Sequence, residues 1–142
     1  MIYLDKETYE KYIKELEVLT KKFAVSGDKY IKKDIDNLCK IINSAKVISN
    51  EEKNPNVVYV GDKVSVAFDM GDGEEEIEKY TLVIGNPKSE GEVSIASPVG
   101  EAILQRNVNE VRKCTVNGSS FRVRIVGKDA VSVQEDSSVS ER

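Results

Sequence analysis

At 142 residues, with 39% hydrophobic and 32% charged residues, the chain has room for one compact domain, or one domain and an appendage. A net charge of −4, without an obvious basic stripe, speaks against direct sequence-specific nucleic-acid binding and for a protein partner or a small ligand. The absence of His removes the Ser–His and Cys–His nucleophile pairs and the HExxH zinc site, and six Tyr, three Phe and no Trp are too few for a wide aromatic pocket.

Asp5 is placed to cap a first helix, with Glu7 in its first turn. Tyr9, Tyr12, Leu16, Leu19 and Phe23 then recur at steps of three and four, Ile13 widens the stripe, and Lys and Glu fill the other faces. Ala24-Val25-Ser26-Gly27 breaks the pattern, and Asp28 is placed as a second cap. Ile31, Ile35, Leu38, Ile42 and Ala45 resume the same steps, with Ile41 alongside. Residues 5–48 thus read as two helices and a connector, an antiparallel hairpin with a coiled-coil-like seam. Each arm of roughly 18 residues spans about 27 Å. Residues 49–56 are polar and turn-rich, a junction.

Beyond the junction the period changes to two. Val64, Val66 and Phe68 alternate with polar or small residues, Met70-Gly71-Asp72-Gly73 reads as a turn, and Tyr80, Leu82 and Ile84 form the next strand. Gly85–Lys88 is a loop, and Val93 and Ile95 mark a short strand. Ser97-Pro98 opens a brief helix through Leu104, with Pro98 at its first position. Val111–Val116 and the run of Phe121, Val123 and Ile125 are strands joined by Asn117-Gly118, a strong two-residue hairpin turn. The fold class is α+β: a helical hairpin (1–49), a mainly antiparallel β domain with one short helix (50–133), and a polar tail (134–142) expected to be disordered.

Cys39 and Cys114 lie far apart in apolar-periodic segments and read as buried free thiols. With no signal peptide expected and no apolar run of spanning length, the expected place is cytoplasmic, with no membrane contact. Asp69, Asp72, Glu74, Glu75, Glu76 and Glu78 lack the regular spacing of a calcium loop and read as a solvated acidic hairpin. Gly71 and Gly73 make no phosphate loop, and Thr115 and Ser119 have no base partner. No catalytic residue, metal or cofactor is expected, and the chain is expected to be a monomer.

An N-terminal hairpin followed by Ser-Ile-Ala-Ser-Pro-Val-Gly-Glu-Ala-Ile-Leu (residues 94–104), a strand, an Asn-Gly turn and a final strand resembles the Gre family of transcription elongation factors. Tyr3–Glu7, Glu15–Leu19 and Ala45–Ile48 carry the same resemblance, which covers residues 2 to 127. It implies an FKBP-like C-terminal domain that docks on the rim of the RNA polymerase secondary channel, and a hairpin that enters the channel. In that family, acidic residues at the hairpin tip hold a metal ion and promote cleavage of backtracked RNA.

The resemblance breaks at the tip. Ser26, Gly27 and Asp28 are followed by Lys29-Tyr30-Ile31-Lys32-Lys33, with no second carboxylate before Asp34. The arms read as shorter than those of the cleavage factors by roughly two heptads each. The chain is closer in this respect to short-hairpin, Rnk-like homologues. Gln105 and Asn109 stand where the family has glycines around the turn after its short helix.

Asp28 is therefore read first as a helix cap and second as an ion-positioning carboxylate. Lys29, Lys32 and Lys33 are either a solvated face or a contact for acidic groups in the channel. Ser97, Pro98, Val99, Gly100 and Ile103 are the docking segment that the resemblance implies, although Val99 and Ile103 also suit packing on the sheet. The expected function is a non-enzymatic regulator that binds RNA polymerase. The alternatives are an active transcript-cleavage factor and, on the FKBP-like sheet alone, a peptidyl-prolyl isomerase.

Overall fold

A computed structural model describes residues 1–69, 71 and 73–129. They form two compact units, Met1–Asn54 and one that begins at Pro55. The tail at 134–142 lies outside the described residues.

The first unit is the hairpin of α1 (Lys6–Ser26) and α2 (Lys29–Ser44). Asp5 caps α1, its Oδ1 accepting the Thr8 N–H at 2.7 Å. Only Tyr12, Leu38 and Ile42 of the two stripes are buried, with Leu4 and Ile48 beside them in sequence-distant strands. Leu16, Leu19, Phe23, Ile31 and Ile35 are half-buried, because two helices alone cannot enclose a whole seam.

Two features differ from the sequence reading. α1 runs through Ala24, Val25 and Ser26, because a lapse in apolar period does not stop a helix. Gly27 stops it, at φ 63°, its N–H donating to the Phe23 carbonyl at 2.8 Å. The hairpin is also closed at its base by a parallel two-stranded sheet of β1 (Tyr3–Asp5) and β2 (Lys46–Ile48), where a helical exit was expected. Three-residue strands are too short to show a period of two, and their pairing is non-local. Ser49 and Glu52 then form a reciprocal capping box around a 3₁₀ turn, Asn50–Glu52.

The second unit is a five-stranded sheet of order β5-β4-β3-β7-β6. Its strands are β3 (Lys63–Asp69), β4 (Glu75–Val83), β5 (Glu92–Ser94), β6 (Val111–Val116) and β7 (Ser119–Lys128). All neighbours are antiparallel except β4 and β5. Val64, Val66, Leu82, Val123 and Ile125 form the fully buried heart of one face, and Ile103 of α3 (Pro98–Ile103) joins them in the core. Glu75, Glu76 and Glu78 of the acidic run belong to β4, paired antiparallel with β3 up to Asp69–Glu75. Their side chains stay exposed because this half of β4 extends past the covered core. Asn117 and Gly118 both take positive φ, 51° and 84°, as the turn between β6 and β7 requires. A register shift at Ser65/Val66 in the β3–β7 ladder adds a bulge that period counting does not show.

Candidate functional site

Two places in the chain carry the residues singled out by sequence. The first is the α3 platform. Ser97 caps α3: its Oγ accepts the Gly100 N–H at 3.1 Å and donates to the Ser94 carbonyl at 2.7 Å. Pro98 occupies the first turn, where a missing N–H leaves no helical bond unmade. Pro98 is exposed, Ser97 and Val99 are half-buried, and Gly100 and Ile103 are buried. The five residues are thus brought together, but in two layers. Three can touch a partner, and two hold those three from beneath.

The turn after α3 is fixed by backbone. Gln105 N–H donates to the Val58 carbonyl at 2.7 Å, Val58 N–H to Arg106 at 3.0 Å, and Asn109 N–H to Ile125 at 2.7 Å. Gln105 and Asn109 adopt φ of 59° and 75°. Both positions thus hold the left-handed geometry that glycine adopts most readily, with side chains that tolerate it less well. Glu110 closes the turn. Its Oε1 accepts the Asn107 N–H at 3.1 Å, and that bond, with Arg106 and Arg112 nearby, holds its carboxyl below the usual range.

Beneath the turn lies a pair that sequence reasoning missed. Asp62, 2% exposed, accepts the Tyr59 N–H at 2.8 Å and the Lys128 ammonium at 2.9 Å. Lys128 also donates to the Val57 carbonyl and lies 5.1 Å above the Tyr59 ring. The available signal was one Asp set among Val57, Val58, Val60 and Val64.

The second place is the hairpin tip, Ser26, Gly27, Asp28 and Lys29, all exposed. Asp28 caps α2, its Oδ1 accepting the Tyr30 N–H at 2.8 Å, while Ser26 Oγ accepts the Asp28 N–H at 3.1 Å. Among the described residues, no group of three or more acidic, Cys or His side chains is placed to hold a metal ion. Also among them, no helix is long and apolar enough to cross a membrane. The aromatics that an isomerase pocket would need are engaged with one another: Phe68 packs edge-on against Tyr80 and Phe121, at centroid distances of 6.2 and 5.8 Å.

The family model for the C-terminal region of the transcription elongation factors GreA and GreB matches residues 52–135. The chain belongs to the GreA/GreB family. It is 33% identical over 99 residues to the transcription elongation factor GreA of Oceanobacillus iheyensis, a match over 68% of this chain and 60% of that protein. It is 34% identical over 100 residues to GreA of Shouchella clausii, over 68% of this chain and 61% of the relative. The match thus spans about three fifths of those curated relatives. A solved GreA/GreB factor from Nitrosomonas europaea superposes with a TM-score of 0.49 at 25% identity, covering 92% of this chain and 100% of its own.

These relatives correct one expectation. They are named GreA, the class to which transcript cleavage was attached above, so the reading of this GreA/GreB-family chain as having no enzymatic role does not stand. A single exposed tip carboxylate, Asp28, is present, and its use as a helix cap does not remove it from the surface.

Proposed function

We propose that this chain acts as a transcription elongation factor on RNA polymerase, docking on the secondary-channel rim through the exposed layer of α3 and offering its hairpin tip to the channel. The observation that carries the docking half is the two-layer platform: Ser97, Pro98 and Val99 stand on a base of Gly100 and Ile103 that cannot shift without disturbing the core. Family membership supports the choice of partner. A monomer at work beside the polymerase in the cytoplasm, with no direct sequence-specific nucleic-acid contact, follows from the same reading.

The test is retention of purified RNA polymerase core by the immobilised chain, with GreA as competitor. Retention that the competitor abolishes supports rim docking, and Pro98→Arg should weaken it. Absence of retention at low salt would overturn the proposal.

A second reading, stimulation of transcript cleavage, is favoured by the relatives' names and by the exposed Asp28. Asp28→Asn separates charge from capping, because Asn caps a helix about as well as Asp. Cleavage in backtracked complexes that the wild type stimulates and the Asn variant does not would assign the activity to the carboxylate. Equal rates with and without the wild-type protein would remove this second reading.

A further inference from the structure

The arginines of the second unit are matched to carboxylates with one exception. Arg106 and Arg112 face Glu110 at 4.0 and 3.5 Å, and Arg124 meets Glu75 at 3.1 Å. Among the described residues, Arg122 has no ion-pair partner, and neither has Lys113. These two are direct partners in the β6–β7 ladder. Like charges set opposite one another destabilise a sheet. Both side chains are exposed, so packing does not require them either. Stability of the fold gives no account of this pair.

The pair borders a cavity of about 630 Å³, together with Ser120, Phe121 and, at the end of β3, Asp69. Asp69 stands opposite Arg122 on its other side but forms no ion pair with it; its Oδ1 accepts the Gly71 N–H at 2.8 Å. One step along the same face, the hydroxyls of Thr115 and Ser120 lie 3.1 Å apart. Two cations and a hydroxyl at one opening suit an anion with several acceptor oxygens and more than one charge. A phosphate monoester carries about −1.5 to −2 charges near neutral pH and three acceptor oxygens, whereas a carboxylate brings one charge and two oxygens. The cavity falls in the size range of small-molecule sites, and Phe121 offers apolar surface to an organic group. An extended polyanion fits poorly. Across the sheet the row reads Glu75, Asp69, Arg122, Lys113 from β4 to β6, so a run of phosphates laid along it meets carboxylates next to the two cations.

We infer that this cavity binds the phosphate monoester group of a small organic molecule, with Lys113 and Arg122 on the phosphate, Ser120 donating a hydrogen bond to it, and Phe121 against the organic part. The inference is independent of the polymerase reading.

The experiment titrates the full chain by NMR at low salt with AMP, glucose 6-phosphate, adenosine and inorganic phosphate. The wild type is compared with the double variant Lys113→Gln, Arg122→Gln. Removing a repulsive, exposed pair should leave the unfolding midpoint of the free protein equal or higher, which serves as the folding control. Both esters should bind the wild type with Kd below about 1 mM and shift amides of β6 and β7, and adenosine should not. The double variant should bind the esters at least about tenfold more weakly. No shift with either ester at about 10 mM, or shifts that the double variant retains, would overturn the inference. Inorganic phosphate bound as tightly as the esters would overturn the assignment to an organic ligand. A labelled oligoadenylate supplies the last arm: binding tighter than that of AMP, lost in the double variant, would assign the pair to nucleic acid and end the proposal.

Discussion

A Cβ on residue 100 would lie 1.9 Å from the carbonyl oxygen of Ser94 and 2.8 Å from its carbonyl carbon, so Gly100 and Ser94 pack backbone to backbone. The contact is made inside a helix, where φ is ordinary, and glycine is needed there for room alone. Gly100→Ala must push α3 off the strand that precedes it. The expected loss is about 3 kcal/mol in the second unit, seen as a fall of more than about 10 °C in its unfolding midpoint. An unchanged midpoint would mean that α3 shifts freely, and the platform would lose its rigidity.

The Asp62–Lys128 pair ties the segment after Pro55 to the end of β7. Lys128→Met leaves Asp62 buried with one partner gone and should cost about 3 kcal/mol. The double variant Asp62→Leu, Lys128→Met removes both charges and should recover much of that loss. Denaturant unfolding of both single variants, Lys128→Met and Asp62→Leu, and of the double variant gives the coupling directly. Additive losses would show that the two side chains act independently.

Much of the hairpin and sheet was legible because burial there follows a period. Leu38 and Ile42 lie one helical turn apart on α2, and Val64, Val66, Val123 and Ile125 alternate along strands. Contacts without a period were not legible. β1 and β2 are three residues each and pair across more than forty positions, while Asp62 and Lys128 are 66 residues apart. The segment proposed for docking was visible as Ser-Pro at a helix start, yet its layering was not, since Val99 and Ile103 look alike in sequence and only one is fully buried. At the tip, the Asp28 cap was readable from its place before an apolar run. The exposure of Val25 was not, because a helix that continues past its stripe looks like a helix that ends.

Asp5 links acid stability to the base of the hairpin. Burial alone would raise its pKa, but the Thr8 N–H and the Lys53 ammonium at 2.9 Å outweigh burial and hold it below the ordinary 3.8. The unfolded chain binds this proton more readily than the folded one. The stabilisation is therefore complete above the ordinary value and is lost as pH falls through the lower folded value. Asp5→Asn keeps the cap and loses the charge. It should be less stable near neutrality by up to about 1 kcal/mol, and should converge with the wild type in acid. Parallel stability curves down to the acid limit would contradict this assignment.

At Gln105 the backbone and the side chain can be separated. Gln105→Ala removes the side chain and keeps the left-handed strain, whereas Gln105→Gly removes both. The glycine variant should exceed the alanine variant in stability by about 1 kcal/mol in thermal or denaturant unfolding. Equal stabilities would show that the turn relaxes when the side chain is shortened.

The parallel ladder at Tyr3–Asp5 and Lys46–Ile48 fixes more than the base of the hairpin. One arm cannot slide along the other by even a single residue without exchanging Leu4 and Ile48, both buried, for their exposed neighbours Tyr3 and Val47. The register of the two arms is thereby locked at the end opposite the tip. Whatever meets Val25 and Asp28 meets a lever that can bend but cannot telescope.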